Sequence, residues 1–369
     1  MMGNRKDTTP RGSLDRRQFV AVGATALAGA AMAGALSGCS SSDSGSKTDG
    51  ASSTASSKDK IVFIWEPNES TTTYEGMREA VAECIEKGCG LPCEMMTTTD
   101  YNVTIESLIS GKADMASLGA SEYVEAHAKN ADVNIAFVLS NEDGELDQAS
   151  YYSQICVRSE DADKYKSGSS FSLDNIKGKN FSFVNLNSTS GFVMPATVVK
   201  KQFGLSSTDE CSESGAFFDT VLFPGSHPGS LFNLLNGDAD VAVFADYLVD
   251  PMVELVSGEP AQPGTVYRVK EGVDSPLDAV VGKEFTIIEA LPVPAVPICI
   301  NTATVPSDIH DKIIDYMCSD EVASNSKIFP SPDDKDTVSN WSKTSDKVRF
   351  VPAEDDYYDE FRELIDFKG

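Results

Sequence analysis

Residues 183 to 203 read FVNLNSTSGFVMPATVVKKQF, and their centre holds three consecutive hydroxyls, Ser188, Thr189 and Ser190, followed by Gly191. A strand-like apolar run precedes them and a helix-like run follows, so the hydroxyls stand where a helix begins. A helix start offers several unpaired backbone N–H groups and roughly half a positive charge. Hydroxyls add neutral donors, so such a stretch can satisfy an oxyanion without Lys or Arg. Gly191 is expected to let backbone and ligand approach closely. The plainer use of the same residues is N-capping by Ser or Thr. Covalent catalysis fits less well: no GxSxG turn is present, and adjacent hydroxyls suit donation better than attack.

A second polar helix start lies at GSHPGSLFNLLNG and is tied to the first half of the chain by an internal repeat. IESLISGKADMASLGASEYV and LFNLLNGDADVAVFADYLV align at an offset of 126 residues, with Gly111 over Gly237 and Asp114 over Asp240. At that offset Tyr101 matches His227, each opening the helix of its copy. Further upstream, Asn68-Glu69-Ser70-Thr71-Thr72-Thr73 precedes one helix and Asn187-Ser188-Thr189-Ser190 another. Asp246 follows the strand ADVAVFA at its carboxyl end and is a candidate to reach the same place. Tyr123 reads as a packing residue, and His127 and His310 as surface residues.

Strands and helices alternate through both halves: KIVFIW, CEMMTT, ADMASL and NIAFVLS are strand-like, with helical spacing between them, as in YEGMREAVAECIEKG, whose end is expected at Gly88. That grammar predicts an α/β fold with parallel sheets packed between helices. Two lobes of similar plan then face each other, with polar helix starts at the carboxyl ends of strands, where open α/β sheets bind ligands. The expected organisation is lobe one from 60–153 and 296–369, and lobe two from 154–295. The chain crosses between them near SYYSQICVRS and LPVPAVPICIN, extended segments suited to hinges. The tail beyond Pro306 is expected to pack as helices on lobe one.

Residues 1–38 read as an export signal. Arg16-Arg17 precede a small, apolar run too short and glycine-rich to span a bilayer, resembling a twin-arginine signal. LSGC resembles a lipobox, which makes Cys39 the lipidated N-terminus of the mature chain. Residues 39–59, rich in Ser, Gly and Asp, form a tether. Without residues 1–38, 25 Lys and Arg stand against 55 Asp and Glu, a net of −30. Nucleic acid is excluded as a partner on that balance, because phosphate backbones are bound through Lys and Arg. Seven cysteines follow Cys39; the trio Cys84, Cys89 and Cys93 permits one bridge, and the odd number leaves at least one thiol unpaired within the chain. No ligand pattern for a metal accompanies them.

The stretches NSTSGFVMP, PGSHPGSLFNLLNGDADVAV and DYNVTIESLISGKADMASLG resemble the phosphate/phosphite/phosphonate-binding proteins of ABC transporters, a branch of the bilobed type II periplasmic-binding-protein fold. The resemblance covers most of residues 60 to 320. It implies a binding protein without cofactor or catalytic activity, which captures a small oxyanion and hands it to a membrane permease. Ser188, Thr189, Ser190 and His227 match the family's oxyanion ligands, and Tyr101 matches an aromatic donor from the opposite lobe. Members that bind aminoalkyl phosphonates carry a carboxylate before Pro-Ile in the returning strand; here Ala295-Val296-Pro297-Ile298 is apolar. Leu118 replaces an aromatic residue of some members. The expected ligand is therefore phosphate, phosphite or an alkylphosphonate. The protein is expected outside the cytoplasm, a lipid-anchored monomer; a sensor subunit or a receptor for another small anion are the alternatives.

Overall fold

The computed structural model describes residues 58–67, 73–334 and 336–368. The expected signal, Cys39 and nearly all of the tether lie outside the described residues, as do residues 68–72 of the first polar stretch.

Apolar, branched runs form the strands of lobe one: β1 (Ile61–Trp65), β2 (Cys93–Thr97), β3 (Met115–Ser117) and β4 (Val133–Leu139). Between them lie α1 (Glu75–Cys89), α2 (Tyr101–Ile109) and α3 (Ala120–Lys129). α1 buries Met77, Ala80, Val81, Cys84 and Ile85 along one stripe, as helical spacing requires. Lobe two contains β5 (Ser150–Arg158), the small hairpin β6 (Lys166–Ser167) and β7 (Ser170–Phe171), β8 (Asn180–Ser182), α4 (Met194–Phe203), α5 (Asp209–Ser212), β9 (Thr220–Leu222), α6 (His227–Asn236), β10 (Val241–Ala245), α7 (Asp246–Val249), β11 (Val253–Ser257), β12 (Val266–Val269) and β13 (Glu284–Pro294). The chain returns through β14 (Ile298–Asn301) and continues as α8 (Ser307–Met317), α9 (Asp320–Ala323), β15 (Phe350–Val351) and α10 (Asp359–Leu364).

One six-stranded sheet runs β15-β4-β14-β3-β1-β2 and a seven-stranded sheet runs β11-β12-β13-β5-β10-β8-β9. Neither is wholly parallel, unlike the expectation. β1 pairs parallel with β2 and β3, and β8 parallel with β9 and β10, but β14 lies antiparallel between β3 and β4, and β5 antiparallel beside β10. A chain crossing from the other lobe enters each sheet from the opposite end, which reverses its direction there. β5 and β13 form a long antiparallel ladder from Ser150↔Pro294 to Phe285↔Arg158, and Ala295 donates to the Ala149 carbonyl at 3.1 Å where the two crossings meet.

The internal repeat extends to individual hydrogen bonds. The Asp114 amide donates to the Val62 carbonyl at 2.8 Å while its Oδ2 accepts from the Val62 amide at 2.9 Å. Asp240 does the same with Asn180, at 2.8 and 3.1 Å. Gly111 and Gly237 turn the chain after each helix with φ of 73° and 91°. The shared Gly-x-Ala-Asp therefore closes a helix and clamps the next strand to its neighbour, a structural device rather than a ligand site.

Two local expectations change. α1 runs on past Gly88 and ends at Gly90, whose φ is 76°. Gly88 is instead a contact point: a Cβ there would come 2.8 Å from the Tyr316 Cβ on α8. The tail does not rest on lobe one alone. The hydroxyls of Tyr357 and Tyr358 donate to the carbonyls of Ala149 and Ala295 at the crossings, at 2.6 and 2.5 Å. Lys200 and Lys201 of α4 reach Asp366 and the Leu364 carbonyl, so the tail also holds lobe two. The seven cysteines from Cys84 to Cys318 are all free thiols, including the trio. Among the described residues no helix is long and apolar enough to cross a membrane.

Candidate oxyanion-binding site

The helix of lobe two opens inside the hydroxyl run, earlier than the residue after Ser190 where it was expected. Ser188 is its N-cap, with Oγ accepting from the Gly191 amide at 3.1 Å, and Thr189 to Val193 form a π turn that leads into α4. Ser188 thus does cap the helix, while Thr189 and Ser190 lie in its first turn with hydroxyls directed elsewhere. A Cβ on Gly191 would lie 2.4 Å from the Val184 Cβ, so glycine there permits the loop to close on the segment that precedes it.

Each loop hydroxyl meets at least one side chain from outside the loop, and Thr189 meets two, Glu122 and Ser121. Ser188 lies beside Tyr101 and Ser190 beside Tyr151. Thr189 Oγ1 donates to Glu122 Oε2 at 2.9 Å and accepts from the Ser121 amide at 2.8 Å. Ser121 Oγ donates to the Asn187 carbonyl at 3.0 Å, and Asn187 Nδ2 to Asn102 Oδ1 at 2.9 Å. The starts of α2 and α3 in lobe one therefore face the hydroxyl loop of lobe two across the cleft. Ser153 on β5 donates to the Ser190 carbonyl at 2.6 Å and anchors the loop from below.

His227 opens α6 and is 1% exposed. Its Nδ1 accepts from the Ala245 amide at 2.9 Å, which leaves the ring proton on Nε2. Burial lowers its pKa to about 3, so the ring is a neutral donor at physiological pH. Tyr101 is equally buried, and burial holds its phenol well above the ordinary value, again neutral.

Ser188, Thr189, Ser190 and His227 line one cavity with Glu66, Gly119, Glu122, Tyr151, Tyr247 and Val296. A larger neighbouring cavity shares Glu66, Tyr151, Tyr247 and Val296 and adds Trp65, Ala295 and Trp341 among its walls. No Lys or Arg is among the described residues lining either. Tyr101 adjoins the smaller cavity through Ser188. Asp246 is not among the lining residues: it opens α7, and its Oδ1 accepts from the amides of Tyr247 at 2.8 Å and Tyr152 at 3.2 Å. Burial raises its carboxyl to about 6. Tyr123 packs against Tyr358 and donates to Asp355 at 2.7 Å, away from the loop.

The carboxyls that do line the cavity are Glu66 and Glu122, and neither was singled out in the sequence. The repeat carried no signal for Glu122, which its offset sets opposite Leu248. Nor does any sequence signal exist for Tyr151 and Tyr247.

With this geometry in view, residues 63–358 match the model of the family described as "ABC transporter, phosphonate, periplasmic substrate-binding protein". The chain belongs to this family. Like its family, this substrate-binding protein is a transport component that works with a membrane permease outside the cytoplasm, and it is not an enzyme. It is 27% identical over 268 residues to the phosphate-import protein PhnD of Mycolicibacterium smegmatis, covering 72% of this chain and 76% of that one. Its fold is similar to PhnD1 of Prochlorococcus marinus in complex with methylphosphonate, with a TM-score of 0.59, 13% identity, and 83% and 97% of the two chains covered. It is also similar to the binding-protein component of an ABC phosphonate transporter from Pseudomonas aeruginosa, with a TM-score of 0.56, 19% identity, and 82% and 84% covered.

Proposed function

We propose that this substrate-binding protein captures phosphate, phosphite or an alkylphosphonate in the cavity between its lobes. The observation that carries the reading is a buried set of donors that are all uncharged: the hydroxyls of Ser188, Thr189 and Ser190, the Nε2–H of His227 and the phenol of Tyr101. Neutral donors escape the desolvation penalty of a buried cation. Each hydrogen bond to a charged acceptor contributes about 1.5–3 kcal/mol, so a handful account for tight capture.

Lobe two presents the anion loop and His227, and lobe one brings Tyr101 to the opposite side as the hinge closes. Asp246 acts from behind, holding the backbone of Tyr247 rather than touching the ligand. Ala295 and Val296 keep the wall of the larger cavity apolar at that point, which favours an unsubstituted or alkyl-substituted anion. The relative that imports phosphate and the structural neighbour bound to methylphosphonate support phosphorus chemistry. Cys39 anchors the mature, monomeric protein to the membrane by a lipid.

Calorimetric titration of the protein, stripped of bound anion, with phosphate, phosphite, methylphosphonate and sulfate tests this reading. At least one phosphorus oxyanion is expected to bind tightly and to compact the protein in solution scattering. Sulfate binding as tight as that of every phosphorus anion overturns it.

A further inference from the structure

The side chains that meet the anion loop are two phenols and the hydroxyl of Ser121, which stay neutral, and the carboxyl of Glu122. That carboxyl is 1% exposed and takes the single proton of the Thr189 hydroxyl at 2.9 Å. Gly119 makes the contact sterically possible, because a Cβ there would lie 2.1 Å from Glu122 Oε2 and 2.5 Å from Thr189 Oγ1. An oxyanion bound at the loop must share Thr189 with this carboxyl, or take Thr189 from it and lie alongside.

Among the described residues no cation neutralises such a pair. The titratable groups acting with Glu122 are Tyr101 from α2, Tyr151 from β5, Glu66 after β1, Cys299 from β14 and Glu125 on its own helix. His227 lines the same cavity from α6 and is neutral. An ionised carboxylate about 4 Å from an anionic oxygen, at an effective dielectric near 20, weakens binding by about a thousandfold. A proton between the two removes that repulsion and converts it into a hydrogen bond.

We propose that Glu122 couples anion capture to a proton, so that the bound state holds one proton between the Glu122 carboxyl and the nearest oxygen of the phosphorus oxyanion. A monoanion brings this proton as P–O–H and donates it to the carboxylate. A dianion arrives without it, and the site takes one proton from water, forming an O–H on Glu122 that donates to the ligand. Burial already raises the carboxyl to about 7, so the uptake is accessible near neutral pH.

The inference rests on the oxyanion reading above, and proton counting separates the two. Methylphosphonate is titrated calorimetrically into wild type and Glu122→Gln at about pH 8.5, in buffers of different ionisation enthalpy, where carboxyl and ligand are both largely deprotonated. Wild type is expected to take up about one proton per ligand bound, with affinity falling about tenfold per further pH unit. Glu122→Gln, whose amide donates without titrating, is expected to show uptake near zero and a nearly flat profile. Binding by wild type without uptake overturns the inference, as does undiminished uptake in the variant, which moves the proton to Glu66 or Asp246. Failure of both methylphosphonate and inorganic phosphate to bind wild type overturns the oxyanion reading itself. If Glu122→Gln does not fold, the wild-type proton count and pH slope decide alone.

Discussion

Tyr101 and His227 occupy matching places in the two repeats, each at the first residue of a buried helix, and burial acts on them in opposite senses. It pushes the phenol of Tyr101 up and the imidazole of His227 down to about 3. The outcome is the same, an uncharged donor on each side of the cleft. What accompanies them differs. In lobe two the donors are hydroxyls on a helix turn, fixed by the Ser188 cap and insensitive to pH. In lobe one the neighbour is Glu122, a carboxyl that titrates near neutrality. In the proposed site a chain of net charge −27 holds an anion by burying neutral donors rather than by gathering cations, and the proposed proton coupling falls to lobe one.

The largest effect is expected where the lobe-two donor also has a structural bond. His227→Ala removes the Nε2–H from the cavity and strips the buried Ala245 amide of its acceptor. Methylphosphonate affinity should fall about 100-fold or more, and unfolding free energy by about 1–3 kcal/mol. Tyr101→Phe, its counterpart, loses only a hydroxyl and should weaken binding about tenfold with little change in melting. Equal losses in the two variants, read by calorimetry and thermal melts, would erase the asymmetry between the lobes.

Within the loop, Thr189→Ala is expected to lower affinity about 10- to 100-fold at nearly constant melting temperature. Ser188→Ala should reverse the emphasis, costing about 1 kcal/mol of stability through the lost cap. Glu122→Gln sharpens the contrast through stability. The folded carboxyl titrates at about 7 against an ordinary 4.5, so the folded state binds its proton more tightly than the unfolded chain. Its contribution is fully present below about pH 4.5 and is lost as pH rises to about 7. The Gln variant, which has no such loss, should melt about 5 °C above wild type at neutral pH and near it at about pH 4. The smallest effect belongs to Asp246→Asn: an amide oxygen can still accept from Tyr247 and Tyr152, so affinity should change less than about threefold. A larger drop would return Asp246 to the cavity wall.

Much of the fold is legible because its signals are local. The stripe of Met77, Ala80, Val81, Cys84 and Ile85, the branched run of β1, and the repeated Gly-x-Ala-Asp each depend on neighbours a few residues away. The hydroxyl run is equally local, since three donors at a helix start express their chemistry before any tertiary contact forms. Where the spacing reads Gly88 as a helix end, the deciding atom belongs to Tyr316, distant in sequence. The antiparallel β5 and β14 likewise follow from which end of a sheet the crossing chain enters.

The sequence by itself determined two α/β lobes, their repeat, and a loop of neutral donors suited to an oxyanion. Only the tertiary structure decided that Glu122 and Tyr151 join that loop, that Asp246 stands behind it, and that His227 is a neutral Nε2–H donor. Those outcomes depend on which surfaces meet across the cleft and how far water is excluded there. Burial shifts Tyr101, Tyr151, Glu122 and His227 toward their neutral forms, and burial belongs to the assembled lobes, not to any stretch of chain.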